Sequence, residues 1–446
     1  MTKVITYGTF DLFHVGHENL LRRAKELGDW LIVGVTAERF DRERGKLNVH
    51  NSLMQRIEYV KQSGYADEII VEEYEGQKIE DIVKNDIDIF AIGSDWAGKF
   101  DYLNEYCKVV YLERTKGVSS TQLRTEKQHI VELGIIGTGR IANRFIPESK
   151  YVSGVIVKGV FNPNEQSAKV FCEKHELDFY TSDFKEFTSK ISAVYIASPH
   201  LSHYDYIKKC LESNLHVLCE KPMVLVKNQA IELYNLAKEK NLVLIEALKT
   251  AYSPGFVHLI SLVKSGVIGE IRDVDASFTR LKNGNIRELD PNQAGGSMTE
   301  LASYVLLPIF KIFGVDYKNV QFFPFIKNGI DVFTRGILEY DNGNGSFKVG
   351  LGVKSEGDLI ISGTKGYAYL PAPWHHTEYF ELRFEDANLN KKYFYKFDGD
   401  GLRYELNEFV RNITIKCNNS DNYLLKKRES IAIIEIIDKF LTLYNS

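Results

Sequence analysis

Two segments, separated by a short polar connector, decide the fold: Arg114-Thr115-Lys116-Gly117-Val118-Ser119-Ser120-Thr121, and Leu133-Gly134-Ile135-Ile136-Gly137-Thr138-Gly139-Arg140-Ile141-Ala142. The first is basic and rich in glycine and hydroxyl groups, so it offers a guanidinium, backbone N–H groups and hydroxyls to phosphate oxygens. The second is an apolar strand that breaks into the Gly-x-Gly-x-x-Ala form of a dinucleotide-binding turn. We therefore interpret the chain as a fused, two-step enzyme, with one active site before this stretch and another after it.

Composition limits what the rest of the chain can be. A length of 446 residues suggests roughly three domains of about 150 residues each, and we place them at about 1–127, 130–250 and 251–446. The net charge of −4 gives no sign of a surface for nucleic acid or membrane. The five cysteines are scattered without metal-ligand spacing, which predicts reduced thiols in a cytoplasmic protein and no metal site. No apolar run reaches the roughly 18 residues that a membrane span needs.

Strands and helices alternate in the first part of the chain. Lys3 to Tyr7 predicts a strand, and the segment after it leads into an amphipathic helix from Glu18 to Leu27. His14 and His17 then lie at the start of that helix, where unpaired N–H groups and the helix dipole favour anions. The later runs are Trp30–Thr36, Ser52–Ser63, Glu68–Glu72, Ile79–Asn85, Ile87–Ile92 and Val109–Leu112. Such alternation predicts an α/β fold with a parallel sheet covered on both faces.

Two later motifs complete this pattern, at strand ends where open α/β sheets bind ligands. They are the Ile92–Asp101 segment, with Gly93-Ser94-Asp95-Trp96, and the basic segment Arg114–Thr121. Together with His14-Val15-Gly16-His17 they make residues 1–126 resemble the glycerol-3-phosphate cytidylyltransferase family. The resemblance implies that a sugar-alcohol phosphate oxygen attacks the α-phosphorus of CTP and releases pyrophosphate, with Mg²⁺ on the triphosphate.

The same resemblance implies roles for single residues. His14 and His17 would stabilise the charge that develops on the phosphates in the transition state. The nucleotide would be bound by Thr9, Phe10, Asp11, Lys46, Asp95, Arg114, Gly117, Ser119, Ser120 and Thr121. Arg44 and Lys78 would face the acceptor. Because Arg44 stands where relatives often have Lys, and Gly64 where they commonly have Arg, the identity of the acceptor stays open.

A dinucleotide-binding fold begins at Val131. Val131 to Ile136 predicts a strand, and a helix follows from Arg140 and is cut short around Pro147. Gly139 would let the backbone approach a pyrophosphate at the N-terminus of this helix. After the next strand, the position that carries a carboxylate in NAD-specific sites holds Asn162. No clear Arg clamp for a 2′-phosphate is present either, so NADPH is favoured only slightly over NADH.

Four segments make residues 130–446 resemble the glucose-fructose oxidoreductase, inositol dehydrogenase and rhizopine catabolism family: Glu220-Lys221-Pro222, Ile245-Glu246-Ala247, Leu262–Gly269 and Gly295–Tyr304. The family adds an α+β domain with a large, open, mostly antiparallel sheet, which commonly forms an oligomer interface. A homodimer or homotetramer is therefore expected. The strand-like runs are Asp273–Arg280, Val320–Phe325, Gly336–Tyr340, Gly345–Leu351, Asp358–Ser362 and Tyr393–Phe397, and the helical runs are Leu402–Asn412 and Arg428–Leu443.

The second resemblance also implies site residues. Lys221 would lie beside the nicotinamide and polarise a substrate oxygen. Glu300 and Tyr304 replace the family's usual Asp-x-x-x-His, and their spacing keeps both on one helix face. A tyrosine with a pKa of about 10 donates a proton better than it accepts one, which favours carbonyl reduction; alternatively, Tyr304 only packs under the sheet. The cofactor would contact Gly137, Gly139, Arg140, Ile141, Asn162, Ser198, His200, His203 and Glu220, although either histidine would serve equally to cap the following helix.

Joined, the two resemblances predict a bifunctional enzyme. Its second part would reduce a sugar phosphate to an alditol phosphate with NADPH or NADH, and its first part would couple that product to CMP. The CDP-alditol would feed a bacterial surface polysaccharide. A hexose or pentose phosphate is favoured over a triose phosphate. Two alternatives stay open: a cytidylyltransferase with a nucleotide-sensing or dimerising module, and an adenylyltransferase that makes a cofactor.

Overall fold

The computed structural model describes residues 1–11, 13, 15–43, 49, 51–74, 76–113, 130–284, 286–414, 420 and 424–444. The chain divides into two compact units, Met1–Ile130 and Val131–Ser446. In this described part, no helix combines the length and the apolar character that crossing a membrane requires.

The first unit contains a five-stranded parallel sheet, in agreement with the predicted α/β alternation. Its strands are β1 (Lys3–Gly8), β2 (Trp30–Thr36), β3 (Glu68–Glu72), β4 (Ile89–Gly93) and β5 (Lys108–Leu112). Its helices are α1 (Val15–Lys25), α2 (Glu38–Glu43), α3 (Leu53–Gln62) and α4 (Gln77–Lys84). The strand order is β3-β2-β1-β4-β5. Apolar side chains fill both faces of the sheet, so ligands can reach it only at the strand ends.

The second unit begins with a six-stranded parallel sheet in the order β11-β10-β9-β6-β7-β8. Its strands are β6 (Val131–Ile136), β7 (Val155–Phe161), β8 (Phe179–Thr181), β9 (Ala193–Ile196), β10 (His216–Glu220) and β11 (Leu244–Ala247). Its helices are α5 (Arg140–Ser149), α6 (Glu165–His175), α7 (Phe184–Ser189), α8 (His203–Glu212) and α9 (Lys227–Glu239). This order places a topological switch between β6 and β9, where doubly wound sheets bind dinucleotides.

Helix α5 differs slightly from the prediction, because it passes through Pro147 and ends at Ser149. The buried side chains of Phe145 and Ile146 hold this last turn against the sheet, and Glu148 accepts hydrogen bonds from Arg403. Packing therefore outweighs the one backbone hydrogen bond that proline removes.

The rest of the second unit is a layer of helices on an eight-stranded sheet, in the order β13-β14-β15-β12-β16-β17-β18-β19. The strands are β12 (Ile271–Thr279), β13 (Asn319–Lys327), β14 (Ile330–Glu339), β15 (Asn344–Gly350), β16 (Leu359–Gly363), β17 (Gly366–Leu370), β18 (Tyr379–Phe384) and β19 (Lys391–Phe394). The helices are α10 (Pro254–Lys264), α11 (Ser297–Phe313), α12 (Leu402–Thr414) and α13 (Lys427–Tyr444). Every pair of neighbouring strands is antiparallel except β12 with β15. The expected mostly antiparallel sheet is confirmed.

Two strands of this sheet, β17 and β18, are absent from the sequence prediction. The predicted Tyr393–Phe397 strand is also displaced, because β19 ends at Phe394. The N–H of Tyr395 still donates to the carbonyl of Glu378, and the chain then leads into a glycine-rich loop, in which Gly399 and Gly401 have positive φ angles of 59° and 78°.

Candidate active sites

In the first unit, the candidate site begins at the turn that follows β1. The hydroxyl of Thr9 donates to Asp41 Oδ1 at 2.7 Å, and Asp11 Oδ1 accepts from the N–H of Asn51 at 2.9 Å. Phe10 between them is buried and has a positive φ of 53°. Because β1 lies at the centre of the sheet, between β2 and β4, this turn stands at the position where such sheets bind ligands.

A buried arginine that was not predicted fixes this turn. Arg56 of α3 is 0% exposed, and its Nη1 donates to the carbonyl oxygens of Thr9 and Thr36, both at 2.8 Å. The same nitrogen lies 3.3 Å from Asp41 Oδ2. The only sequence signal for this role is the spacing of Arg56 and the buried Val60, which puts both on one face of α3.

His17 and Lys78 approach β1 from different helices. His17 lies in the first turn of α1, and its ring centroid is 5.4 Å from that of Phe10 and 5.6 Å from that of Phe13. Lys78 of α4 is buried; its ammonium pairs with Glu72 and lies 4.7 Å from the centroid of the Tyr7 ring. The structure thus brings Thr9, Phe10, Asp11 and His17 together, and connects Lys78 to β1 through Tyr7.

Several predicted residues of this unit lie outside the described residues. They are His14, Arg44, Lys46, Arg114, Gly117, Ser119, Ser120 and Thr121. For Asp95, only its place in a short 3-10 turn after β4 is described. Within the described ranges, no three His, Cys, Asp or Glu side chains are grouped so that they could hold a metal ion.

In the second unit, a cleft of about 1080 Å³ opens at the carboxyl ends of the parallel strands. It extends between the switch point of β6 and β9, the helix α11 and the end of β12. It brings together most of the residues predicted for cofactor and substrate: Gly137, Gly139, Arg140, Ile141, Asn162, Ser198, His200, Glu220, Lys221, Glu300 and Tyr304.

The glycines after β6 fit a dinucleotide. Gly137 has a φ of 99°, and a Cβ there would lie 2.7 Å from the carbonyl oxygen of Ala197. At Gly139, by contrast, a Cβ would have no heavy atom within 4 Å, so the space before the N-terminus of α5 is open. Asn162 Nδ2 donates to the hydroxyl of Thr138 at 2.9 Å, which ties the end of β7 to this turn. A pyrophosphate between two nucleosides fits such a space at a helix N-terminus.

His203 requires a correction, because it does not line the cleft. It is 0% exposed, and its ring nitrogens lie 3.0 Å from the carbonyl oxygen of Pro222 and 2.9 Å from that of Ser198. The ring therefore holds the two loops that carry Lys221 and Ser198, rather than contacting a cofactor directly.

Lys221 and Tyr304 lie side by side in the cleft. Lys221 Nζ donates to the main-chain carbonyl of Glu300 at 2.9 Å and lies 5.5 Å from the centroid of the Tyr304 ring. The Tyr304 ring packs edge-on against Phe278, with centroids 5.1 Å apart. Tyr304 thus packs against a strand of the sheet and also lines the cleft, and its role as a proton donor stays a prediction. The arrangement places an ammonium and a phenol ring near each other in one cleft.

The carboxylate of Glu300, which was predicted to act together with Tyr304, is held in place by an ion pair with Arg287. Its Oε1 lies 2.8 Å from Arg287 Nη2 and 3.7 Å from His200 Nδ1. Burial holds the pKa of His200 well below its usual value, so this ring is neutral near pH 7. Burial also raises the pKa of the Tyr304 phenol and that of the Glu220 carboxyl, which accepts from the hydroxyl of Tyr195 at 2.6 Å.

An aspartate that the sequence did not indicate positions α11, the helix that carries Glu300 and Tyr304. Asp331 Oδ2 accepts from the N–H of Met298 at 3.0 Å and from the hydroxyl of Thr334 at 2.7 Å. Burial raises its pKa to about 7. Gly296 has a φ of 133°, and any Cβ there would collide with Asp331 Oδ1. The glycine pair before α11 is therefore the one feature of the sequence that indicates a side chain packed closely against the start of this helix.

Sequence reasoning also missed a charged group in the cleft. Lys249, in the turn after β11, donates to the carbonyl oxygen of Asp400 at 2.6 Å and contacts His376 Nε2 at 2.9 Å. Arg144 of α5 donates from Nε to Asp400 Oδ2 at 2.6 Å. These side chains line the same cleft as Tyr304.

Two family models match the chain. Residues 5–129 match a family described as "Cytidylyltransferase-like", and residues 131–248 match "Oxidoreductase family, NAD-binding Rossmann fold". Over 126 residues, the chain is 52% identical to the glycerol-3-phosphate cytidylyltransferase of Bacillus spizizenii, which corresponds to 28% of this chain and 97% of that protein.

The second unit is similar to dehydrogenases. Over 318 residues, the chain is 27% identical to the scyllo-inositol 2-dehydrogenase (NADP(+)) IolU of Bacillus subtilis, covering 69% of this chain and 95% of that protein. Over 257 residues, it is 30% identical to the trans-1,2-dihydrobenzene-1,2-diol dehydrogenase of Bos taurus, covering 55% of this chain and 76% of that protein.

Solved structures show the same fold for the second unit. KijD10, a 3-ketoreductase from Actinomadura kijaniata in complex with NADP, aligns with a TM-score of 0.61 at 20% identity over 69% of this chain and 96% of that chain. The site geometry and these likenesses lead to one conclusion. The chain belongs to the glycerol-3-phosphate cytidylyltransferase family in its first unit and to the glucose-fructose oxidoreductase, inositol dehydrogenase and rhizopine catabolism family in its second, and is an enzyme that fuses the two.

Proposed function

We propose that this enzyme makes a CDP-alditol in two steps. The second unit would reduce the carbonyl of a sugar phosphate to an alditol phosphate, and the first would transfer CMP from CTP to that phosphate and release pyrophosphate. The observation that carries the proposal is the contact of the Lys221 ammonium with the Tyr304 ring, in a cleft that opens on the glycine turn. That cleft belongs to the same chain as a cytidylyltransferase domain.

For the reduction, bound NADPH or NADH would supply the hydride. Lys221 would hydrogen-bond the carbonyl oxygen and stabilise the negative charge that forms there. Tyr304 would then give its proton to that oxygen. The phenol carries its proton at neutral pH, and the alkoxide that forms is a stronger base and takes that proton.

For the transfer, the substrate's own phosphate is the nucleophile and pyrophosphate is the leaving group. His17, at the N-terminus of α1, would stabilise charge on the phosphates together with His14. Thr9, Phe10 and Asp11 would bind the nucleotide on the turn that Arg56 holds, and Mg²⁺ would neutralise part of the triphosphate charge.

The names of the relatives support the substrate class. One cytidylyltransferase relative is named for glycerol 3-phosphate, a polyol phosphate, and one dehydrogenase relative is named for scyllo-inositol and NADP(+). A shared intermediate of both units would be a polyol that carries a phosphate. We favour a hexose or pentose phosphate over a triose phosphate, and NADPH over NADH. The CDP-alditol would be used to build a bacterial surface polysaccharide. The enzyme would act in the cytoplasm as a homodimer or homotetramer.

The test is a coupled assay on the full chain. NADPH oxidation is followed by absorbance with a panel of triose, pentose and hexose phosphates; CTP, Mg²⁺ and pyrophosphatase are then added, and the products are identified by mass spectrometry. We expect oxidation with one sugar phosphate and formation of the matching CDP-alditol.

Two other results would contradict the proposal in different ways. CDP-product from an added alditol phosphate, with no reduction of any sugar phosphate, would indicate a cytidylyltransferase whose second unit is regulatory or dimerising. Preference for ATP over CTP would indicate an adenylyltransferase instead.

A further inference from the structure

The cleft of the second unit contains a group of cations that the reduction itself does not use. Arg144, Lys249 and Arg280 all line it, from α5, from the turn after β11 and from the end of β12. A series of contacts links this group to the proposed reaction centre. The centroid of the Tyr304 ring is 5.6 Å from that of the His375 ring, which is 4.6 Å from the centroid of the His376 ring. The Nε2 atom of His376 is 2.9 Å from Lys249 Nζ.

Two of these cations, Lys249 and Arg280, make no ion pair with a carboxylate in the described part of the chain. Burial lowers the pKa of Lys249, and the nearby carboxyl groups of Glu405, Asp400 and Glu220 oppose that change. The hydrogen-bond acceptors of Lys249 are the neutral ring of His376 and the main-chain carbonyl of Asp400. Arg280 is exposed in the cleft, and its guanidinium has no hydrogen-bond or ion-pair partner among the described residues. Burial beside Lys249 lowers the pKa of His376 to about 4, so this histidine adds no charge at neutral pH. Arg280 and Lys249 therefore both line the cleft without an ion pair, as nitrogen donors for the oxygen atoms of a phosphate.

The third cation already binds an oxyanion of the protein itself. Both Nε and Nη2 of Arg144 donate to the carboxylate of Asp400, which is the two-bond geometry that arginine also makes with phosphate. Asp400 stands between Gly399 and Gly401, which both have positive φ angles. Asp400 thus occupies the donors of Arg144 and, through its main-chain carbonyl, also accepts from Lys249, which fixes the position of the ammonium.

We propose that Arg280 and Lys249 bind the phosphate group of the sugar phosphate, an assignment that rests on the function proposed above. Arg144, paired with Asp400, holds the loop to which Lys249 is bonded. The phosphate lies on the far side of the two histidine rings from Tyr304, and the carbonyl lies against Tyr304 and Lys221. The subsite thus selects phosphorylated over unphosphorylated sugars, and selects among sugar phosphates by the distance between phosphate and carbonyl.

The kinetic test replaces Arg280 with glutamine. Arg280→Gln should raise the KM for the sugar phosphate about tenfold or more, because charge-assisted hydrogen bonds to phosphate are lost. It should change kcat much less and leave the KM for NADPH unchanged. Arg272→Gln is the matched control, since Arg272 is an exposed arginine of the same strand whose guanidinium contacts Glu270 and Asn342. A higher KM for NADPH, with that for the sugar phosphate unchanged, would assign Arg280 to the cofactor and overturn the subsite.

A binding experiment keeps this inference separate from the proposed function. Inorganic phosphate is titrated by calorimetry into the full chain saturated with NADPH and CTP, so that both nucleotide sites are filled. We expect a phosphate site in the second unit that Arg280→Gln weakens about tenfold or more and Arg272→Gln leaves unchanged, while phosphate at the acceptor position of the first unit binds equally in all three proteins. Equal affinity in all three proteins would overturn the subsite, even if a sugar phosphate is reduced. Arg280-dependent binding without any reduction would support the subsite and contradict the proposed function.

Discussion

The two units hold charge at their candidate sites in different ways. In the first, the described residues after β1 form a turn whose backbone is fixed from behind by Arg56, and the ring of His17 lies beside it. In the second, Lys221, Glu300, Arg287 and Tyr304 lie within one cleft, where burial changes the pKa of several neighbours. The candidate site of the first unit is thus built mainly from the backbone of the turn after β1. The candidate site of the second unit is built mainly from charged side chains that line a cleft.

The chemistry of the two proposed reactions explains this difference. In nucleotidyl transfer, the reacting phosphates and Mg²⁺ carry the charge, so the protein needs donors in fixed positions and no proton donor of its own. In carbonyl reduction, a neutral group becomes an alkoxide, and the protein must stabilise and protonate it. Burial of a phenol beside an ammonium meets that second need. Variants in one unit should therefore leave the other reaction intact.

The largest effect is expected at Lys221. Lys221→Met should lower the rate of sugar phosphate reduction about a thousandfold or more, because the charge on the forming alkoxide loses its main partner. CMP transfer to an added alditol phosphate, measured in the same preparation, should not change. A Lys221→Met enzyme that still oxidises NADPH at a tenth of the normal rate would remove Lys221 from the reaction.

The reverse result is expected at His17. His17→Gln should reduce CDP-alditol formation from CTP about 300-fold, since one donor to the phosphates is lost at the helix N-terminus. NADPH oxidation by the second unit is the internal control and should stay at the wild-type rate. Loss of both activities would show that the variant has misfolded or that the two sites depend on each other, and the contrast drawn above would not hold.

These expectations depend on features that the sequence displays locally. The alternation of strands and helices predicts both parallel sheets, and the glycine turn and the Glu220-Lys221-Pro222 segment are short enough to be recognised in one stretch. Lys221 directly follows strand β10, and Tyr304 lies in helix α11 after the glycine pair. The family resemblance brings these two residues into one site. Residues with distant partners that the family resemblance does not cover were not predicted. Arg144 and Asp400, for example, are 256 positions apart, and neither has a neighbour that marks it as one of a pair.

Burial is the second reason for what was missed. An arginine in an amphipathic helix is expected to face water, yet Arg56 is fully buried because three oxygen atoms surround its Nη1. Asp331 likewise stands in a strand, where only the collision of a Cβ at Gly296 shows that its carboxyl group must cap α11. Such roles follow from three-dimensional packing and have weak local signals.

A smaller effect is expected at Tyr304, where a single oxygen atom is removed. Tyr304→Phe should lower the reduction rate about 100-fold, because the proton donor is lost while the packing against Phe278 remains. Burial raises the pKa of this phenol, so Tyr304 still carries its proton near pH 10, where an ordinary tyrosine is losing it. A fully active Tyr304→Phe variant would leave Tyr304 with a packing role only.

The smallest effect is expected in the free energy of unfolding rather than in a rate. It measures how far the burial of the Asp331 carboxyl group destabilises the second unit. The pKa of Asp331 is about 7 in the folded protein and about 3.9 in an unfolded chain. Between these values the folded state keeps a proton that the unfolded state has lost. The free energy of unfolding therefore falls as the pH rises from about 4 to about 7, by a few kcal/mol at most.

Asp331→Asn should abolish this part of the pH dependence, because an amide does not titrate and its oxygen can still accept from the N–H of Met298. The thermal midpoint of the second unit is measured for both proteins between pH 4 and 8. As the pH rises, the midpoint of the variant should increase by several degrees relative to that of the wild type. Asp341→Asn is the control, since Asp341 is 85% exposed and pairs only with Lys318 among the described residues. A constant difference between Asp331→Asn and the wild type at every pH would mean that Asp331 is already ionised in the fold. The carboxylate would then cap α11 as an anion at the helix N-terminus, where the positive end of the dipole favours it.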